Sequence, residues 1–197
     1  MNNYRDVKAI TFDFWGVFAV MNPPMNRYLE ERGISLDGYT KEIHDLVMLH
    51  DLGKIDERQF FQKCSQIIGV EIPYDQCRYV YREGTLNEPL ISLVKKLKEN
   101  YKIALLSNNN KEYVQEYIRK PGLGKLFDVE VISYETGHRK PDPEIYKTLI
   151  QRLGMKPSEI LFLDDDPTKL TAAETQGLKT LVYEGKKTDE VLKSLVA

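Results

Sequence analysis

Hydrophobic and polar positions divide the chain into two textures. Residues 8–13 (KAITFD) form a short, β-branched apolar run that climbs to Asp13 and breaks at Gly16, as a buried strand does. Asn22-Pro23-Pro24 then blocks regular structure, and residues 25–82 follow helical spacing. The punctuation predicts four helices there: NRYLEERG stopping at Gly33, TKEIHDLVMLHDLG stopping at Gly53, DERQFFQKCSQIIG capped by Asp56, and DQCRYVYREG capped by Asp75. After Gly84 the texture changes. A helix in EPLISLVKKLKEN leads into strands expected at 102–107, 129–133, 160–164 and 179–183, each followed by a helix.

Strands this apolar, alternating with helices, predict a parallel sheet covered on both faces. The expected fold class is therefore α/β, a doubly wound core made of residues 1–18 and 86–197. A helical segment, residues 19–85, is inserted after the first strand.

Composition narrows the class without changing it. In 197 residues, 42% hydrophobic and 29% charged, there is enough apolar surface for a sizeable core. A net charge of −2 gives no bulk electrostatic reason to bind nucleic acid or a membrane. No segment approaches the roughly 20 apolar residues that span a bilayer, and the first residues lack a signal-peptide pattern. The two cysteines, Cys64 and Cys77, form no CxxC and read as reduced helix-packing residues of a cytoplasmic protein. Monomer and homodimer are both open.

The chemistry gathers where strands end. In open parallel sheets ligands sit beyond the carboxyl ends of the strands. Here those ends carry Asp13, then Ser107-Asn108-Asn109, then a loop with Lys140, then Asp164-Asp165-Asp166. Asp13, Asp164 and Asp165 would converge, and carboxylates that close do not all stay ionised without positive charge among them. Lys140 supplies one charge for three acids. A hard divalent cation, Mg²⁺, would meet the rest. Such a site suits a small phosphorylated substrate: metal and Lys140 neutralise phosphoryl oxygens, Ser107 and backbone N–H groups hydrogen-bond them, and Asp13 attacks phosphorus. Taken singly, each feature also has a plain reading as a turn or helix cap.

Together these stretches resemble the haloacid dehalogenase-like hydrolases over nearly the whole chain. The elements are FDFWGVF, LLSNNN, the 133–146 stretch SYETGHRKPDPEIY, and ILFLDDD followed by TAAETQGLKT. VMNPP and LGKIDERQF resemble the subgroup whose first motif reads roughly FDLGGV. The resemblance implies a Rossmann-like core with a helical cap of the C1 type, Mg²⁺, and phosphate-ester hydrolysis through an aspartyl-phosphate. By match of position Asp13 would be nucleophile and metal ligand, while Ser107 and Asn108 would hold the transferring group. Lys140 would bridge nucleophile and phosphate. Asp164, Asp165 and the Trp15 carbonyl would complete the metal site, and Trp15, Gly16 and Asn109 would border the substrate.

Trp15 departs from the phosphatase pattern, which usually has a second Asp there to protonate the leaving group and activate water. An indole N–H only donates and does not titrate, and losing general acid–base help costs about 10²–10⁴ in rate. Slow hydrolysis, best with good leaving groups such as acyl phosphates, is the expectation. Two other readings stay open. One is a binding or regulatory protein whose substrate space Trp15 fills. The other is a 2-haloacid dehalogenase, against which the Asp164-Asp165 pair argues. Lys169 stands where the family often has Asn. His138 reads as an exposed loop residue, and His44 and His50 lack ligand spacing. Arg27, Arg78 and Arg82 would bear on substrate choice only if they faced the cleft; Tyr74, Tyr79 and Tyr81 read as packing residues.

Overall fold

The computed structural model describes residues 4–20, 24–77, 85–119 and 122–196. Five strands, β1 (Ala9–Phe12), β4 (Lys102–Ser107), β5 (Val129–Ile132), β6 (Ile160–Asp164) and β7 (Lys179–Val182), form one sheet in the order β5-β4-β1-β6-β7. All its pairings are parallel. Side chains alternate across a strand, and here both faces are buried. Ile10, Phe12, Ile103, Leu105, Leu161 and Leu163 pack on one side with Leu90, Val94 and Leu97 of α5 (Glu88–Leu97). Ala9, Ala104, Leu106, Ile160 and Phe162 pack on the other with α8 (Pro143–Leu153) and α9 (Pro167–Thr175). The expected α/β fold with a Rossmann-like parallel sheet is the fold observed.

Between β1 and β4 the chain first pairs β2 (Ala19–Val20) with β3 (Thr85–Leu86) in a short antiparallel ribbon. Two residues carry too little pattern to show in the sequence. From this ribbon extend α1 (Pro24–Glu30), α2 (Thr40–Asp51), α3 (Glu57–Ile68) and α4 (Tyr74–Cys77). They bury an apolar cluster of their own, with Leu29, Leu46, Phe60, Phe61, Cys64 and Ile68 at its centre. Both cysteines are buried and unpaired. Asp56 caps α3 as expected: it accepts the Gln59 N–H at 2.8 Å while Gln59 returns a bond to the Asp56 N–H. α4 begins at Tyr74, so Asp75 lies in its first turn and does not cap it. Tyr74 packs as expected, its ring 6.0 Å from Phe61 and its hydroxyl donating to Glu57 at 2.9 Å. Arg78, Tyr79, Tyr81, Arg82 and the Arg27 side chain lie outside the described residues.

Helix α6 (Lys111–Tyr113) continues as a π-helix over Val114–Arg119, where the sequence predicts plain α-helix. The wider turn brings the Tyr113 and Tyr117 rings into a parallel stack 4.5 Å apart. The remaining elements are α7 (Ser133–Thr136) and α10 (Lys186–Lys193). No helix among the described residues is long and apolar enough to cross a membrane.

Replacing Asp56 by Ala should cost about 1 kcal/mol of stability by removing the α3 cap. Urea denaturation should show a lower midpoint with an unchanged slope.

Candidate active site

The sheet order reverses about β1: the chain moves from β1 to β4 and β5, then crosses back to β6 and β7. That reversal opens a crevice at the strands' carboxyl ends. The register pairs Phe12 with Leu105 on one side and Leu163 on the other, so the residues just beyond meet. Asp13 extends the ladder by donating its N–H to the Leu163 carbonyl at 2.9 Å. Asp164 ends β6 beside it, and Ser107 ends β4.

Lys140 ties the crevice together. Its Nζ lies 2.8 Å from Asp13 Oδ1 and 2.6 Å from Asp164 Oδ2, with all three side chains buried. It also sits 5.3 Å over the Phe162 ring. The loop that delivers it is fixed by Asn108, whose side-chain amide donates to the Lys140 carbonyl at 2.9 Å and accepts the Lys140 N–H at 2.8 Å. The Asn108 side chain therefore holds the lysine's backbone. Asp13 Oδ1 also accepts the Phe14 N–H at 2.6 Å and the Ser107 hydroxyl at 3.4 Å, leaving Oδ2 the less engaged oxygen.

Asp165 completes the acidic group. One carboxylate oxygen from each of Asp13, Asp164 and Asp165 falls within 4.8 Å of the others. Gly16 makes this approach possible: a Cβ there would overlap the Asp165 carboxylate, and its φ of 78° also favours glycine. Three clustered oxygen donors suit a hard dication.

A second cation enters at the position where the family often has Asn, one that the charge balance drawn from the sequence left out. Lys169 Nζ stands 3.4 Å from Asp164 Oδ1, 3.8 Å from Asp13 Oδ2 and 3.7 Å from Asp166 Oδ2. The expected count of one lysine for three acids is thus corrected to two. The signal was spacing. Asp166 caps α9 by accepting the Thr168 N–H at 2.9 Å, so a residue in that first turn lies back over the strand end.

Titration behaviour follows from burial and these charges. Burial pushes Asp13 up to about 6, against the pull of Lys140. Burial also raises Asp164, but Lys140 and Lys169 outweigh it and hold that carboxyl below its usual range. Asp165 is raised, by partial burial first and then by the Asp164 charge beside it. Burial lowers Lys169, yet the surrounding carboxylates, Asp13 foremost, leave it raised and charged.

Trp15 borders the crevice on the other side. Its indole N–H donates to Asn109 Oδ1 at 3.1 Å, and its ring lies 4.4 Å from Tyr113. The Asn109 amide in turn donates to Ser107 Oγ at 2.9 Å, and its backbone N–H donates to Ser133 Oγ at 2.9 Å. Ser133 donates to the Asp51 carbonyl at 2.6 Å, tying the end of α2 to the crevice. Arg139 reaches the Asp51 carboxylate at 3.4 Å, and burial pushes that carboxyl up to about 6 despite the arginine. His50 is buried against Phe60 and lies 3.5 Å from Glu112; His138, on its loop, lies 2.8 Å from Asp142.

A family model for haloacid dehalogenase-like hydrolases matches residues 7–177. The chain belongs to this family. The hydrolase is 26% identical over 188 residues to a D-ribitol-5-phosphate phosphatase of Bacteroides thetaiotaomicron, covering 88% of this chain and 90% of that one. It is 31% identical over 191 residues to a phosphorylated carbohydrates phosphatase of Thermotoga maritima, covering 89% and 84%. A solved HAD family enzyme from Bacteroides thetaiotaomicron superposes with a TM-score of 0.81 at 21% identity, covering 94% of the hydrolase and 98% of its own chain. The same enzyme in complex with magnesium and inorganic phosphate matches with a TM-score of 0.73 at 22% identity, covering 91% and 96%.

Removing Lys140 takes away the nearest positive charge on two buried carboxylates and leaves them the more distant Lys169. Lys140→Met should cost about 3–5 kcal/mol at pH 7. Asp13 already titrates at about 6 in the fold against 3.8 when exposed, so its ionised form opposes folding, and that opposition grows as pH rises from about 4 through 6. The deficit should therefore shrink on acidification from pH 7 to 5, as read by urea denaturation at each pH.

Proposed function

We propose that this hydrolase is a phosphatase acting on a small phosphorylated metabolite, with Asp13 as nucleophile and Mg²⁺ as cofactor, and with turnover slowed by Trp15. The observation that carries it is the buried Lys140 bridging Asp13 and Asp164, with Asp165 completing a three-carboxylate cluster. The phosphatases among its relatives, and the fold's likeness to an enzyme solved with magnesium and inorganic phosphate, support the same reading.

Asp13, Asp164, Asp165 and the Trp15 carbonyl would hold the ion. Bound there, Mg²⁺ would neutralise the carboxylates and the phosphoryl oxygens they face. The protein's residues carry the steps. Lys140 and the Phe14 N–H hold Asp13 through Oδ1, so Oδ2, with the Lys169 ammonium 3.8 Å away, would be the oxygen that attacks phosphorus. The bond to the leaving oxygen breaks, and that oxygen departs with its electron pair. Ser107, oriented by the Asn109 amide, is placed to hydrogen-bond the transferring group. Water then attacks the aspartyl-phosphate, releasing phosphate and restoring the Asp13 carboxylate.

Both steps lack an acid–base partner at position 15. Trp15 is hydrogen-bonded to Asn109 and packed at a tilt against Tyr113, so it offers an apolar wall where a carboxylate would exchange protons. Leaving groups that depart without protonation suffer least. The helical segment over residues 19–85 is assigned as the cap that selects substrate, anchored through Asp51 to Ser133 and Arg139.

Purified protein with Mg²⁺ should release phosphate from acetyl phosphate, and Asp13→Asn should abolish release. An unchanged rate in that variant would refute the assignment. Trp15→Asp should speed hydrolysis of an alkyl phosphate, by up to about 10²-fold. No gain, with no release by the wild type, would favour a binding role. Gly16→Ala should weaken Mg²⁺ binding at least several-fold by displacing Asp165, read by calorimetry.

A further inference from the structure

Lys169 occupies an unexpected place for a basic residue if a dication is to bind there. Its ammonium faces Asp13 Oδ2 at 3.8 Å and Asp164 Oδ1 at 3.4 Å, the oxygens that Lys140 does not hold. The placement is built and not a stray surface rotamer. The Lys169 carbonyl accepts the Tyr146 hydroxyl at 2.8 Å, Tyr146 is fully buried, and Asp166 caps the turn that presents the residue. The side chain is 23% exposed, so the charge is only partly screened.

Charge arithmetic sets the consequence. With Asp166, which also faces Lys169 at 3.7 Å, four carboxylates against two ammonium groups leave two net negative charges to attract a dication; with Lys140 alone there would be three. A phosphoryl group adds negative charge of its own, and against that anion a second ammonium is favourable. We propose that Lys169 is a resident counter-cation that shares the acidic cluster with Mg²⁺, weakening binding of the bare ion and strengthening binding of a phosphoryl anion once the ion is in place. By linkage, whatever factor bound Mg²⁺ adds to phosphate affinity, phosphate adds to Mg²⁺ affinity. The hydrolase would take up its metal largely together with its substrate. This inference rests on the Mg²⁺-phosphatase reading and adds to it the order in which the site fills.

The test is calorimetric and needs no turnover. Mg²⁺ alone, and inorganic phosphate at saturating Mg²⁺, are titrated into wild type and Lys169→Met, each first shown to be folded by its thermal transition. Even with screening close to that of bulk water, one charge a few ångströms from a dication is worth about tenfold or more in affinity. Lys169→Met should bind Mg²⁺ about tenfold more tightly and phosphate about tenfold more weakly, while Lys169→Arg, which keeps the charge, should stay near wild type. Lys169→Gln replaces the Met variant if that chain does not fold. An Mg²⁺ constant within twofold of wild type in the neutral variant overturns the inference and leaves the phosphatase reading standing. Absence of Mg²⁺ binding in every variant overturns both.

Discussion

A lysine ammonium buried between two carboxylates sets the terms for the rest of this crevice. Lys140 has almost no solvent contact, and neither do Asp13 and Asp164. Taking such groups out of water is expensive, and their attraction compensates only when geometry is good and the remaining polar atoms are satisfied. The fold supplies that geometry. Parallel registry sets Asp13 beside Asp164, and Asn108 fixes the lysine's backbone from the next strand end. The same arrangement keeps Asp13 Oδ1 engaged and leaves Oδ2 facing the crevice.

Much of this was legible in the chain. Apolar strand runs with helices between them specify a two-faced parallel sheet, and four of its five strands lead into the polar residues that meet at the site. Asp13, Asp164, Asp165 and Lys140 were readable because strand ends in this topology must converge. The finer features were not. Lys169 could be matched to a family position, but that its ammonium reaches Asp13 and Asp164 is set by how α9 packs over β6. The Asn108 side chain serves the Lys140 loop, a pairing between residues 32 positions apart that no local pattern encodes. The β2–β3 ribbon and the π-helical turn under Tyr117 are likewise products of long-range packing.

Trp15 makes sense within its surroundings. It belongs to an aromatic group with Phe14 and Tyr113 and donates to Asn109, which holds Ser107. In the proposed mechanism the position would exchange a proton-transfer group for an apolar wall while leaving Ser107 and Asn109 oriented. The end of α2 closes the same side through Asp51, whose carbonyl and carboxylate are both bonded to residues of the crevice loops. Substrate must fit between that wall and the lysine-bridged acids.

The central claim is that Asp13 receives a phosphoryl group in a site completed by a dication. Crystals grown with Mg²⁺ and beryllofluoride test it most directly. A trifluoroberyllate should appear on Asp13 Oδ2, within reach of Ser107, beside an ion held by Asp13, Asp164, Asp165 and the Trp15 carbonyl. An unmodified Asp13, with no ion among the three carboxylates at saturating Mg²⁺, would contradict it.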